Sequence, residues 1–148
     1  GLALRKFQRH DDALKMIQRS IEAFSTPFGM HALGLQYFIL ADRATNRAAR
    51  EDFVSKAVSV LREIDSTARY DDAYPLCTLA KGHVAALLRL DEVGLAREKA
   101  YGYAGEIKVL ERMYPGDAVI SDLSLNLTSF YATGEVNERY WYLAPQFE

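Results

Sequence analysis

One cysteine, Cys77, in 148 residues leaves the chain without a disulfide of its own, so packing and hydrogen bonding must hold it together. A solitary thiol suits a reducing compartment, and a cytoplasmic location is the expectation. No apolar run approaches the ~20 residues that a bilayer-spanning helix needs. No basic start followed by a short apolar stretch opens the chain as a secretory leader would. An initiator methionine is missing too, and Gly1 falls inside a helical pattern, so the sequence is expected to be part of a longer protein. An excess of one charge is also lacking: 18 Lys and Arg stand against 20 Asp and Glu, a formal net of −2. That balance supplies no bulk field for nucleic acid or an anionic membrane. The cations Arg5, Lys6, Arg9, Lys15 and Arg19 have only Phe7 beside them for base stacking, too small a patch to read as a nucleic-acid surface.

Charge is nevertheless uneven along the chain. Residues 1–20 carry five Lys or Arg against two Asp, and residues 115–148 carry one Arg against five acids. Two solvated ends account for this; contact between copies is the alternative, so a homo-oligomer stays open.

What the chain does have is apolar residues at helical spacing. They make up 49% of the sequence, enough for one domain with a core of its own, without metals. Residues 10–25 place Ala13, Leu14, Ile17, Ile21 and Phe24 on one stripe, the three- and four-residue recurrence of an amphipathic helix. The same recurrence predicts helices over 28–45, 49–65, 76–90, 92–114 and 118–133, with a short one over 136–143. The 28–45 segment is apolar nearly all round, which points to neighbours on more than one side. Pro27, Pro75 and Pro115 each follow one amphipathic run and precede the next. Proline is tolerated in a first helical turn and breaks a helix interior, so the three mark boundaries. No segment alternates long enough for a strand. The fold class is all-α, with about seven or eight helices joined by short connections and therefore antiparallel to their neighbours.

The helices also repeat. Residues 75–88 lie over 27–40 with Pro, Ala, Gly and a final Leu coinciding, at an offset of 48. Gly1 and Gly34 are 33 apart, close to a tetratricopeptide unit of about 34. Leu33, Gly34 and Tyr37 resemble the first-helix signature of that repeat, in which glycine admits the paired helix and the larger residues fill the seam. Residues 10–17 resemble the opening of a second helix, with Ala13 as its small contact residue. Gly134 to Glu138 resembles the turn between the helices of a last unit. The resemblance implies a degenerate tetratricopeptide-like right-handed superhelix, a single domain over 1–148 with units near 1–26, 27–74, 75–114 and 115–148, and the C-terminal part of a larger multidomain protein. The second helix of the middle unit registers equally well on Ala49 and Phe53 or on Ala57 and Leu61. Tyr140, Trp141, Tyr142 and Leu143 offer aromatic area to close the stack.

Such superhelices bind peptides or protein surfaces on their inner face. The resemblance places Arg5, Lys6, His31, Leu35, Phe38, Ile39, Leu79, His83, Ala86 and Leu87 there. The Lys, Asn and Arg set that clamps a terminal carboxylate in chaperone-binding relatives is absent. An apolar inner face suits an amphipathic partner segment or a neighbouring domain of the same protein; the alternative is that these residues are core. Gly34 and Gly82 are expected in helix seams, as are Gly102 and Gly105, because a glycine within a helix costs ~1 kcal/mol relative to Ala and close helix approach is a reason to keep it. Tyr101 and Tyr103 beside them offer a groove as the alternative.

Candidate chemistry is sparse. His10, His31 and His83 have no ligand partner at the short spacings zinc sites use, so neither a metal nor another cofactor is expected. Cys77 has no neighbouring base, and Asp71 and Asp72 oppose a thiolate. The pairs Asp11/Asp12 and Asp71/Asp72 precede helices and read as caps. Asn126, Leu127 and Thr128 match a glycosylation acceptor within a predicted helix, a chance occurrence. The leading expectation is a non-enzymatic protein–protein interaction module, a scaffold or sensor segment. The rival is a helical enzyme or small-ligand domain with an inner pocket near His31 and His83.

Overall fold

Thr26 and Pro27 start the first long helix together. In the computed structural model, which describes residues 12–16, 19 and 26–142, the Thr26 hydroxyl accepts from the Gly29 amide at 3.1 Å. Pro27 takes a first-turn position, where its missing N–H leaves no hydrogen bond unmade. Helix α1 runs Pro27–Arg43 and α2 runs Arg47–Arg62. Asn46 caps α2 by accepting from the Ala49 amide at 2.8 Å, and Arg50 Nε donates to the Ala44 carbonyl at 2.8 Å. The connection of residues 44–46 is short enough to require an antiparallel hairpin.

The described residues divide into two compact units, one up to Ile64 and one from Asp65 onward. In the first, α1 and α2 meet at Gly34. A Cβ on Gly34 would lie 2.6 Å from Leu61 Cδ2, so the missing side chain is the space that Leu61 fills. Tyr37 lies beside Phe53, ring centroids 6.3 Å apart. Ala57 and Leu61 are buried whereas Ala49 and Phe53 are only half-buried, so the deep part of the seam uses the second of the two registers. Helix α1 buries Leu33, Tyr37, Phe38, Ile39, Leu40 and Ala41, the near-complete apolar girth read from its sequence. Helix α2 buries one stripe, Val54, Ala57 and Leu61. Its outer face carries the ion pairs Arg47–Glu51 and Lys56–Asp52, exposed pairs worth a few tenths of a kcal/mol each. Of the stripe expected over 10–25, residues 12–16 are helical, with Leu14 buried and Ala13 half-buried. Arg5, Lys6, His10 and Gly1 lie outside the described residues.

The second unit holds a 3-10 turn, Tyr70–Asp72, then α3 (Ala73–Arg89), α4 (Val93–Met113), α5 (Ala118–Thr133) and the short α6 (Glu138–Trp141). Each long helix packs on the next. Helix α3 ends with the Glu92 amide on the Leu87 carbonyl and the Asp91 amide on the Leu88 carbonyl. Asp91 has φ +60, a left-handed C-terminal cap that Asp tolerates better than most side chains. Helix α5 ends at Gly134, φ +75, against the Arg97 guanidinium. Arg97 donates to the Tyr131 carbonyl at 2.8 Å and the Ala132 carbonyl at 3.3 Å, so a cation from the start of α4 meets the negative end of α5. Glu135 to Asn137 then turn the chain, and Asn137 caps α6, as the Gly134 signal implies. Trp141 is buried against Phe130 and Tyr140, closing the unit with aromatic area as expected of the 140–143 segment; Leu143 lies outside the described residues.

Two sequence expectations are corrected here. Gly102 and Gly105 are exposed and a Cβ on either would meet nothing within 4 Å. Close approach to α4 is made on its opposite side by Ala96, Ala100 and Ala104, all buried and one turn apart; Gly82 on α3 is buried as expected. Asp72 stands at the N-cap of α3 without a capping bond, and its carboxylate instead lies 3.7 Å from Arg69 Nε. The described residues contain no strand, and the all-α class of paired neighbouring helices holds.

Gly34→Ala should destabilise the first unit by about 1–2 kcal/mol, the overpacking cost less the helix propensity gained. Urea unfolding monitored by circular dichroism reads this directly. A Leu61→Ala partner mutation should remove most of the Gly34→Ala penalty in a double-mutant cycle.

Candidate functional site

The residues assigned to a binding face separate by burial. Phe38 is 4% exposed, and Ile39, Leu79 and Leu87 are likewise buried; these four lie among the core residues. His31, Leu35, His83 and Ala86 stay half-buried. Burial pushes the His31 pKa down, so its ring is neutral at pH 7. On α3, His83 Nδ1 lies 2.7 Å from the Tyr103 hydroxyl of α4, with the rings edge to face. This polar pair bridges the α3–α4 seam, which also places Tyr103 inside the fold, not along a groove.

The most connected polar cluster was not legible as a site. Asp117 follows the Pro115 and Gly116 turn and caps α5, its Oδ1 accepting from the Ile120 amide at 3.0 Å. Its Oδ2 accepts from Tyr74 at 2.8 Å and from Tyr70, whose hydroxyls lie 2.7 Å apart. Tyr114 meets the Tyr70 ring edge-on at 4.7 Å. The Tyr70 hydroxyl, the Ile120 amide and the Tyr74 hydroxyl together hold the Asp117 carboxyl below its ordinary range. Both phenols are pushed up. The helix that follows Asp117 is read from the sequence, but the tyrosine partners of Asp117 stand 43 and 47 positions away, beyond any local pattern.

A second cluster joins α3 to α6. Lys81 Nζ sits 3.9 Å from the Tyr140 ring centroid, a cation–π contact made in partial burial. Desolvation lowers the Lys81 pKa against the opposing charge of Asp122, and burial raises that of Tyr140. Cys77 is buried, and burial first, Asp117 second, pushes its thiol up to about 12. At neutral pH it is a small apolar filler, not a nucleophile. The acceptor-like Asn126 is 8% exposed. Its amide nitrogen donates to the Asp122 carbonyl at 2.8 Å, and its oxygen accepts from Asn137 at 3.1 Å, so both ends of the side chain are engaged inside the fold.

Among the described residues, no group of three or more His, Cys, Asp or Glu converges as metal ligands would. No helix among them is long and apolar enough to cross a membrane. The clusters are joints between elements, made by hydrogen bonds at Asp117, His83 and Asn126 and by a cation–π contact at Lys81. Comparison with protein-family models, curated proteins and solved structures finds no match to the chain.

Asp117→Ala should cost about 1–2 kcal/mol through loss of the cap, and Asp117→Asn, which still caps, less. The depressed carboxyl contributes stability above its unfolded pKa, and that contribution disappears as pH falls through the folded value. Denaturant midpoints measured from pH 7 to 2 should therefore fall less steeply below about pH 4 in Asp117→Asn than in the parent. On α4, Gly102→Ala and Gly105→Ala should each stabilise the isolated chain by about 0.5–1 kcal/mol, because no side chain obstructs the added methyl. Thermal or chemical unfolding at low protein concentration tests this.

Proposed function

We propose that the chain is a protein–protein interaction module of degenerate tetratricopeptide-like build, serving as a scaffold or sensor segment. The observation that carries this reading is the Gly34 seam: the glycine of the Leu33, Gly34 and Tyr37 signature admits Leu61, with Tyr37 beside Phe53. Repeats of this kind present first-helix side chains to partners. The positions that retain exposure in each unit taken by itself, His31 and Leu35 on α1 and His83 and Ala86 on α3, are each assigned to partner contact. The partner is a peptide, a protein surface or a neighbouring domain of the same protein, and the module uses no cofactor. An inner ligand pocket at the histidines has less support, because His83 is already engaged by Tyr103.

The test is affinity capture by the full chain, followed by titration calorimetry with the captured partner, for the parent, Leu35→Asp and Ala86→Asp. A desolvated aspartate at a contact should weaken binding at least tenfold, about 1.4 kcal/mol, with the helical circular dichroism unchanged. Equal affinity in both folded variants would remove α1 and α3 as the binding face.

A further inference from the structure

Helix α4 is enclosed on one side and bare on the other. Its alanine ridge is buried between neighbours, while Gly94, Glu98, Tyr101, Gly105, Lys108 and Arg112 are all exposed. These six recur at steps of four, three, four, three and four residues, a straight stripe along a helix of 3.6 residues per turn. Tyr101 is 69% exposed, and its ring rests only edge-on against Tyr131 at 5.2 Å. Beside it, Gly105 opens a notch in which a Cβ would meet nothing within 4 Å. An exposed glycine in mid-helix loses helix propensity and gains nothing within this chain.

We propose that this face is an interface with a second copy of the chain, two α4 helices packing antiparallel about a two-fold axis at the level of Tyr103. That register is fixed by charge together with the fit of the Tyr101 ring to the Gly105 notch. Reversing the stripe against itself sets Glu98 opposite Lys108 of the other copy, and Lys108 opposite its Glu98. The same register sets each Tyr101 over the other copy's Gly105 notch, and Gly94 beside Arg112. One two-fold operation thus satisfies charge, ring and notch at once, the self-complementarity an isologous contact demands. A parallel arrangement would oppose Glu98 to Glu98 and Tyr101 to Tyr101. A single helix pair buries area at the low end of specific interfaces, so the dimer is reversible and concentration-dependent. It uses surface of the second unit alone and is independent of the α1 and α3 contact proposed above.

Sedimentation equilibrium of the full chain over a wide concentration series at low salt tests this. A monomer–dimer equilibrium is expected, with Glu98→Lys and Lys108→Glu each raising the dissociation constant about tenfold or more through two like-charge contacts. The double variant, with both charges exchanged, should recover the parent constant to within about threefold. The two single variants mixed together should associate more tightly than either alone. A chain monomeric at every concentration would leave this face to a different molecule and overturn the proposal. So would a dimer indifferent to the single reversals, or one that the double exchange fails to restore.

Discussion

Close approach of helices through missing or minimal side chains is the constraint on which both units rest. At Gly34 the backbone of α1 is bare, and Leu61 occupies the space. In the second unit the same need is met by methyl groups, Ala96, Ala100 and Ala104 of α4. Only after the axes are this near can large residues such as Tyr37, Leu79, Ile107 and Leu127 interdigitate at interior density. The buried polar joints then follow, since His83 and Tyr103, or Asn126 and Asn137, reach each other only across seams of fixed spacing.

The helices were legible because their information is local. Period and proline placement located them to within a few residues; the caps Thr26, Asn46, Asp117 and Asn137, each accepting a bond from an amide three residues on, come from the structure. The tightness at Gly34 was legible through the resemblance of Leu33, Gly34 and Tyr37 to a repeat signature in which glycine admits the paired helix, whereas Gly102 and Gly105 were read from the cost of a glycine within a helix. The latter reasoning misplaced Gly102 and Gly105, since periodicity marks a face without saying which face is inside; the alanines opposite them bear that load. Phe38, Ile39, Leu79 and Leu87, which the resemblance placed on an inner face with core as the alternative, are buried. The Asp117 joint was illegible, because sequence pattern carries no signal for partners more than forty positions away.

Among the described residues, the polar clusters set out above join helices. Tyrosine hydroxyls, an aspartate, a histidine and a lysine that could equip an active site are each committed to a neighbouring element. The surfaces left over are mixed in character, with half-buried positions on α1 and α3 and a bare stripe along α4.

The Asp117 joint also bears on the order of events during folding. Most packing here is between helices adjacent in sequence, which favours rapid formation of local hairpins. The bond from Tyr70 and Tyr74 to Asp117 is different, because it closes the path around all of α3 and α4 and can form only after both have docked. The tyrosine–aspartate joint therefore ties the start of α3 to the turn after α4 and closes the open end of that hairpin.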